Sequence, residues 1–146
     1  MATVFSLRAA APTASAAPPV TSLARRVAAE GLGTAMLIAV VIGTGIHAHR
    51  LSGGEAIWTL LAQSLAGGAG LLALLTMFGP VSGAHLNPAV TLSAVLRGHL
   101  RGPEALWYLG AQMVGAVLGV AAAHAMYGMP AWAAGTHAVT GPALWW

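Results

Sequence analysis

The sequence predicts an all-α membrane protein with three transmembrane helices and one re-entrant half-helix. Hydrophobic residues make up 58% of the 146-residue chain and charged residues only 6%, with a mean hydropathy of +0.78. A soluble domain carries about a quarter charged residues. Three apolar stretches each reach the ~20 residues needed to cross a ~30 Å hydrocarbon core. Between the second and third, Asn87-Pro88 places a helix start directly after apolar sequence, where a polar loop is expected.

The elements follow in order. Residues 1–24, rich in Ala, Pro, Thr and Ser, read as a disordered tail. Ala14-Ser15-Ala16 resembles a signal-peptidase site, but no apolar stretch precedes it, so cleavage is not expected. The first span is predicted over 27–46, with Arg25 and Arg26 at its start, and the loop over 47–54 contains the turn signal Ser52-Gly53-Gly54. A second span is predicted over 56–77 and a re-entrant loop over 78–86. Asn87 is a strong N-cap and Pro88 suits the first helical position, where its missing N–H costs nothing. The helix they start, over 88–97, is about 15 Å long, half of a hydrocarbon core. Irregular backbone at that depth is tolerated only where protein buries it or where it lines a wet cavity. A polar link, 98–102, leads to Pro103 and a third span over 103–127. Residues 129–146, with Pro130, Gly135, Gly141 and Pro142, read as an irregular tail.

The net charge of +3 comes from six Arg, no Lys and three acids. With the N-terminus cytoplasmic, Arg8, Arg25, Arg26, Arg97 and Arg101 fall inside and only Arg50 outside, as the positive-inside rule prefers. The expected location is a plasma or inner membrane, with the lipid bilayer as partner and no nucleic acid. Cysteine is absent, which excludes disulfides and thiolate metal sites. His47-x-His49 reads as a solvated pair rather than a metal site. Gly31-x-Gly33 and Gly43-x-Gly45 lack the βαβ context of a dinucleotide site. No nucleophile–base set or carboxylate pair suggests an enzyme, and no cofactor is expected. The spans also lack the charged rings that ion selectivity commonly uses.

The block Ser82-Gly83-Ala84-His85-Leu86-Asn87-Pro88-Ala89-Val90-Thr91 resembles the first signature loop of the major intrinsic protein family, the aquaporins and aquaglyceroporins. Glu30-Gly31-Leu32-Gly33-Thr34 resembles the family's first-helix Glu-x-x-Gly-Thr, and Gln112-Met113-Val114-Gly115-Ala116 its third-helix Gln-x-x-Gly-Ala. The resemblance covers roughly residues 25–128. It implies the first of two inverted repeats, half of an aquaporin-like fold. The second Asn-Pro-Ala, the filter Arg that follows it and three further spans have no counterpart here. The run Gly141-Pro142-Ala143-Leu144-Trp145-Trp146 ends where a fourth span would begin, so the chain reads as truncated.

The candidate residues follow. Asn87, with Pro88 and Ala89, is the expected pore donor and half-helix cap: its side-chain oxygen caps the helix and its amide hydrogens remain to donate. The half-helix N-terminus adds about half a positive charge. That combination suits the oxygen of a neutral solute and repels cations. By resemblance, the carbonyls of Gly83, Ala84 and His85 line the lumen as acceptors, while the His85 side chain reads as hydrogen-bonded structure. An acid in an apolar span is expensive unless paired. By resemblance, Glu30 braces the loop through His85 or backbone N–H groups, with Gln112 bracing from the third span; a first-turn acid favoured by the helix dipole and an interhelical hydrogen bond are the alternative readings. Gly67 occupies the position where the family usually offers a bulky residue to its filter, implying a wider opening; a helix-packing role is equally open. Gly33, Ala111, Gly115 and Gly119 read as helix-packing positions.

The leading expectation is a passive channel for small uncharged solutes: water, glycerol, urea or neutral metalloid hydroxides. This chain alone is not expected to conduct; a homo-oligomer or a separately encoded second repeat would have to complete it. The competing reading is a non-conducting membrane interaction protein or an inert truncated remnant.

Overall fold

The computed structural model describes residues 21–131. Four helices follow one another: α1 (Leu23–Leu51), α2 (Ala56–Ser82), α3 (Pro88–Leu96) and α4 (Gly102–Met126). The described residues contain no strand. α1, α2 and α4 are long and apolar enough to cross a membrane; α3, at nine residues, is not. The described residues therefore form three spans and a half-helix of an integral membrane protein.

α1 is the central element and packs against both α2 and α4, while α3 packs against α4. A short turn at 52–55 reverses the chain between α1 and α2. α4 runs parallel to α1: Arg26 meets Glu104, Gly31 meets Ala111, Ala35 meets Gly119, and Arg50 meets Tyr127. Two small cores tie the elements together. Ala29, Leu74, Phe78, Ala84 and Leu86 form one, joining α1, α2 and the loop; Leu100, Ala105 and Tyr108 form the other at the base of α4.

Several predicted boundaries shift. α1 starts at Leu23, inside the expected tail, and runs to Leu51, so the loop expected at His47 is helical. Nothing between His47 and Leu51 breaks a helix, and His49 and Arg50 suit the negative end of the helix dipole. The turn residues beginning at Ser52 end it, with the Ser52 N–H donating to the Ala48 carbonyl. α2 continues through Phe78 to Ser82, shortening the expected loop from its start. Pro80, in the last turn, has no N–H to donate to the Thr76 carbonyl, and the helix ends three residues later in a left-handed Gly83 whose N–H donates to the Gly79 carbonyl. The extra turn carries Phe78 into the core beside Gly33. α3 stops at Leu96, with Arg97 as its C-cap, and α4 begins at Gly102 and closes at Met126. Arg8, most of the N-terminal tail and residues 132–146 lie outside the described residues.

Candidate functional site

The segment from Gly83 to Asn87 joins two helices at depth. Leu86 reaches Gly33, which lies ten residues after the start of α1, about 15 Å along it at 1.5 Å per residue. That length, counted from the helix start, equals half of a ~30 Å hydrocarbon core. The backbone there is unusual, because Ala84 and Leu86 both adopt left-handed conformations at φ 47°. A non-glycine residue held there costs of order 1–3 kcal/mol unless its surroundings dictate it.

Glu30 dictates it. Its carboxylate is completely buried and accepts four hydrogen bonds. Oε1 accepts from Ser82 Oγ at 2.6 Å and from the His85 N–H at 2.9 Å. Oε2 accepts from the Leu86 N–H at 2.7 Å and from Gln112 Nε2 at 2.8 Å. Donors from α2, the loop and α4 thus converge on one side chain of α1. This meets the requirement that an intramembrane acid be partnered, and the backbone N–H groups, not the His85 ring, make the contact.

A second layer secures α3. Gln112 Nε2 also donates to Thr91 Oγ1 at 2.9 Å, and Thr91 Oγ1 lies 3.1 Å from His85 Nδ1. The His85 ring also packs edge-on against Tyr108, with centroids 5.4 Å apart. Tyr108 donates to the Ser82 carbonyl at 2.8 Å and accepts from Arg26 Nε at 2.9 Å. Arg26 in turn pairs with Glu104 at 3.2 Å. Gln112 Oε1 and Thr34 Oγ1 are buried without a partner among the described residues.

The loop is polarised as a result. The N–H groups of Gly83, Ala84, His85 and Leu86 all donate to protein acceptors. The carbonyls of the same four residues accept no hydrogen bond from the described residues. Asn87 repeats the pattern: its Oδ1 accepts from the Ala89 N–H at 2.8 Å, while its amide N–H groups have no partner among the described residues and the residue is exposed. Pro88 occupies the first turn as expected. The arrangement leaves four loop carbonyls without donors among the described residues, beside one amide donor at a helix N-terminus.

The small residues let the elements approach. A side chain at Gly33 would strike Leu86 and Phe78, so this glycine admits both the loop and the last turns of α2. Gly115 lies directly against the Gly31 carbonyl and Gly119 against the Ala35 carbonyl, with Ala111 flanking Gly31. Such contacts hold α1 and α4 together at close range. Gly67 stands apart from this group. A Cβ there would meet Val41 of α1 at 3.3 Å, so the position faces the α1–α2 contact.

Ser82, Thr91, Tyr108 and Arg26 carry this network without having been singled out in the sequence. Ser82 and Thr91 belong to the signature block, and Thr91 lies one helical turn after Asn87. Tyr108 precedes Gln112 by four residues and so shares its helix face; that spacing was the available signal.

The family model for the major intrinsic proteins matches residues 19–143. Among curated proteins, aquaglyceroporin AqpS of Rhizobium meliloti is 50% identical over 78 residues, 53% of this chain and 33% of that protein. Aquaporin NIP6-1 of Arabidopsis thaliana is 37% identical over 87 residues, 60% of this chain and 28% of that protein. Aquaporin-2 of Dasypus novemcinctus is 40% identical over 79 residues, 54% of this chain and 68% of that sequence. The matches thus cover about a third of the first two relatives. With a family match across most of its length, three spans and a half-helix, the chain belongs to the major intrinsic protein family of membrane channels.

Proposed function

We propose that this chain supplies one half of a passive channel for small uncharged solutes. The polarity of the loop carries this reading: four N–H groups turned into the protein, four carbonyls without donors among the described residues, and the Asn87 amide beside them. A water or polyol passing such a surface exchanges its lost hydrogen bonds for carbonyl acceptors and one donor. The positive N-terminus of α3 disfavours cations at the same point. One relative bears the name aquaglyceroporin, which favours solutes of glycerol size, with urea and neutral metalloid hydroxides in the same class. The contact of Gly67 with Val41 gives no separate support for a widened filter.

A single donor facing an open side does not enclose a pore. α2 has 6% of its apolar window buried, against 28% for α1 and α4, so it offers the surface on which a second repeat would pack. That repeat comes from another chain or another segment, and the lone chain is non-conducting. The arginine distribution supports a cytoplasmic N-terminus in a plasma or inner membrane.

The test is solute flux in liposomes containing this chain joined to a second Asn-Pro-Ala repeat from a relative. Glycerol or urea permeability is expected to rise above the lipid baseline, and Asn87→Asp to abolish or sharply reduce it. The aspartate keeps an acceptor for the Ala89 N–H, so helix content should not change. Undiminished flux in that variant would remove Asn87 from its role.

A further inference from the structure

A groove on the outer surface between α1 and α4 plays no part in the channel reading. Its deeper part has a volume of about 630 Å³, with Gly31, Gly110 and Gly115 at its floor and Leu32 and Val114 among its walls. A second hollow of about 450 Å³ shares Val27, Ala28 and Trp107 with it and continues past Leu23 to the helix starts. From Leu23 to Ala35 the groove follows α1 for about 18 Å at 1.5 Å per residue. That is close to the depth of one leaflet of a ~30 Å core.

Its open end is positively charged. The chain contains three acids. Glu30 is enclosed by the loop, Glu104 pairs with Arg26, and Glu55 lies at the opposite end, before α2. Arg25, next in sequence to Ala24 of the second hollow, and Arg101, at the N-cap of α4, are both exposed, and no side-chain carboxylate remains for them. Trp107, 64% exposed, stands on the groove about one and a half turns into α4; tryptophan favours the membrane interface.

We propose that the groove holds one acyl chain of an anionic phospholipid from the leaflet on the arginine side. The lipid phosphate rests on Arg25, and Arg101 adds positive potential at the same level. An apolar channel of one leaflet's depth, with exposed arginines at its end, matches a chain with a negative headgroup. A second copy of this protein in the same orientation fits less well, because its own Arg25 and Arg101 would arrive at the same level and repel.

The test is lipid retention by the detergent-purified full chain, read by native mass spectrometry. Phosphatidylglycerol and phosphatidylcholine with identical acyl chains are the probes. Phosphatidylglycerol should be retained in preference by about fivefold for each arginine engaged, and the double change Arg25→Gln, Arg101→Gln should bring the two lipids near parity. A Cβ at Gly110 meets no atom within 4 Å, so Gly110→Leu should fill the groove, leave helix content unchanged and release both lipids. Equal retention of the two lipids by the unmodified chain overturns the proposal. Undiminished retention in Gly110→Leu also overturns it, and loss of a dimer in that variant would then identify a second copy as the occupant.

Discussion

At the residue scale, the Glu30 carboxylate fixes a loop more than fifty residues away in sequence, and its four donors come from three different segments. Replacing it with glutamine exchanges an acceptor oxygen for an N–H₂ group that faces donors. Hydrogen bonds to a charged group contribute about 1.5–3 kcal/mol each, so Glu30→Gln should destabilise the protein by about 3 kcal/mol or more. Thermal unfolding in detergent measures the loss, and faster amide exchange at His85 and Leu86 would locate it. Tyr108→Phe is a gentler change: it removes the bond to the Ser82 carbonyl and the acceptor for Arg26, for an expected cost of about 1–2 kcal/mol in the same unfolding measurement. Glu30 and Gln112 could be read from the sequence because a polar group in an apolar span requires a partner. Tyr108 and Thr91 could not, since either residue can also stand on the outside of a membrane helix. Only the packing of α4 against α1, and of α3 against α4, turns them inward.

At the scale of elements, the contact between α1 and α4 depends on glycines with different surroundings. Gly115 touches the Gly31 backbone, whereas Gly110 faces open space. Gly115→Leu must therefore push the helices apart, at an expected cost of about 1–3 kcal/mol for overpacking. Gly110→Ala should instead stabilise α4 by about 0.5–1 kcal/mol, through reduced backbone freedom in the unfolded chain. A paired melting experiment distinguishes the two, and a loss of similar size in both would contradict the packing described. The four-residue spacing of Ala111, Gly115 and Gly119 made this stripe legible. The ends of α1 and α2 were less so. Apolar content marks the membrane-embedded part of a helix, but the helix itself runs on until a turn residue or a cap stops it. Hence α1 continues through His49 and Arg50 to Ser52, and α2 through Pro80 to Gly83.

At the scale of the whole molecule, orientation and completeness decide what the site can do. The arginine bias calls for one orientation, with the turn between α1 and α2 outside. Leu51 is 75% exposed at that turn, so Leu51→Cys should react with an impermeant thiol reagent from the outside only. Labelling from both sides would mean that copies insert both ways and could complement one another. Fold class and family were legible because the signature block and three apolar stretches are local features of the chain. Completeness is not local: an opposed half-helix would come from residues that this sequence does not contain. The most direct test of the half-channel account is the osmotic shrinkage of liposomes holding this chain alone, under water, glycerol and urea gradients. The account predicts permeability at the lipid baseline for all three solutes. A clear rise with the lone chain, lost again in Asn87→Asp, would contradict it by showing that one repeat suffices to build the pore.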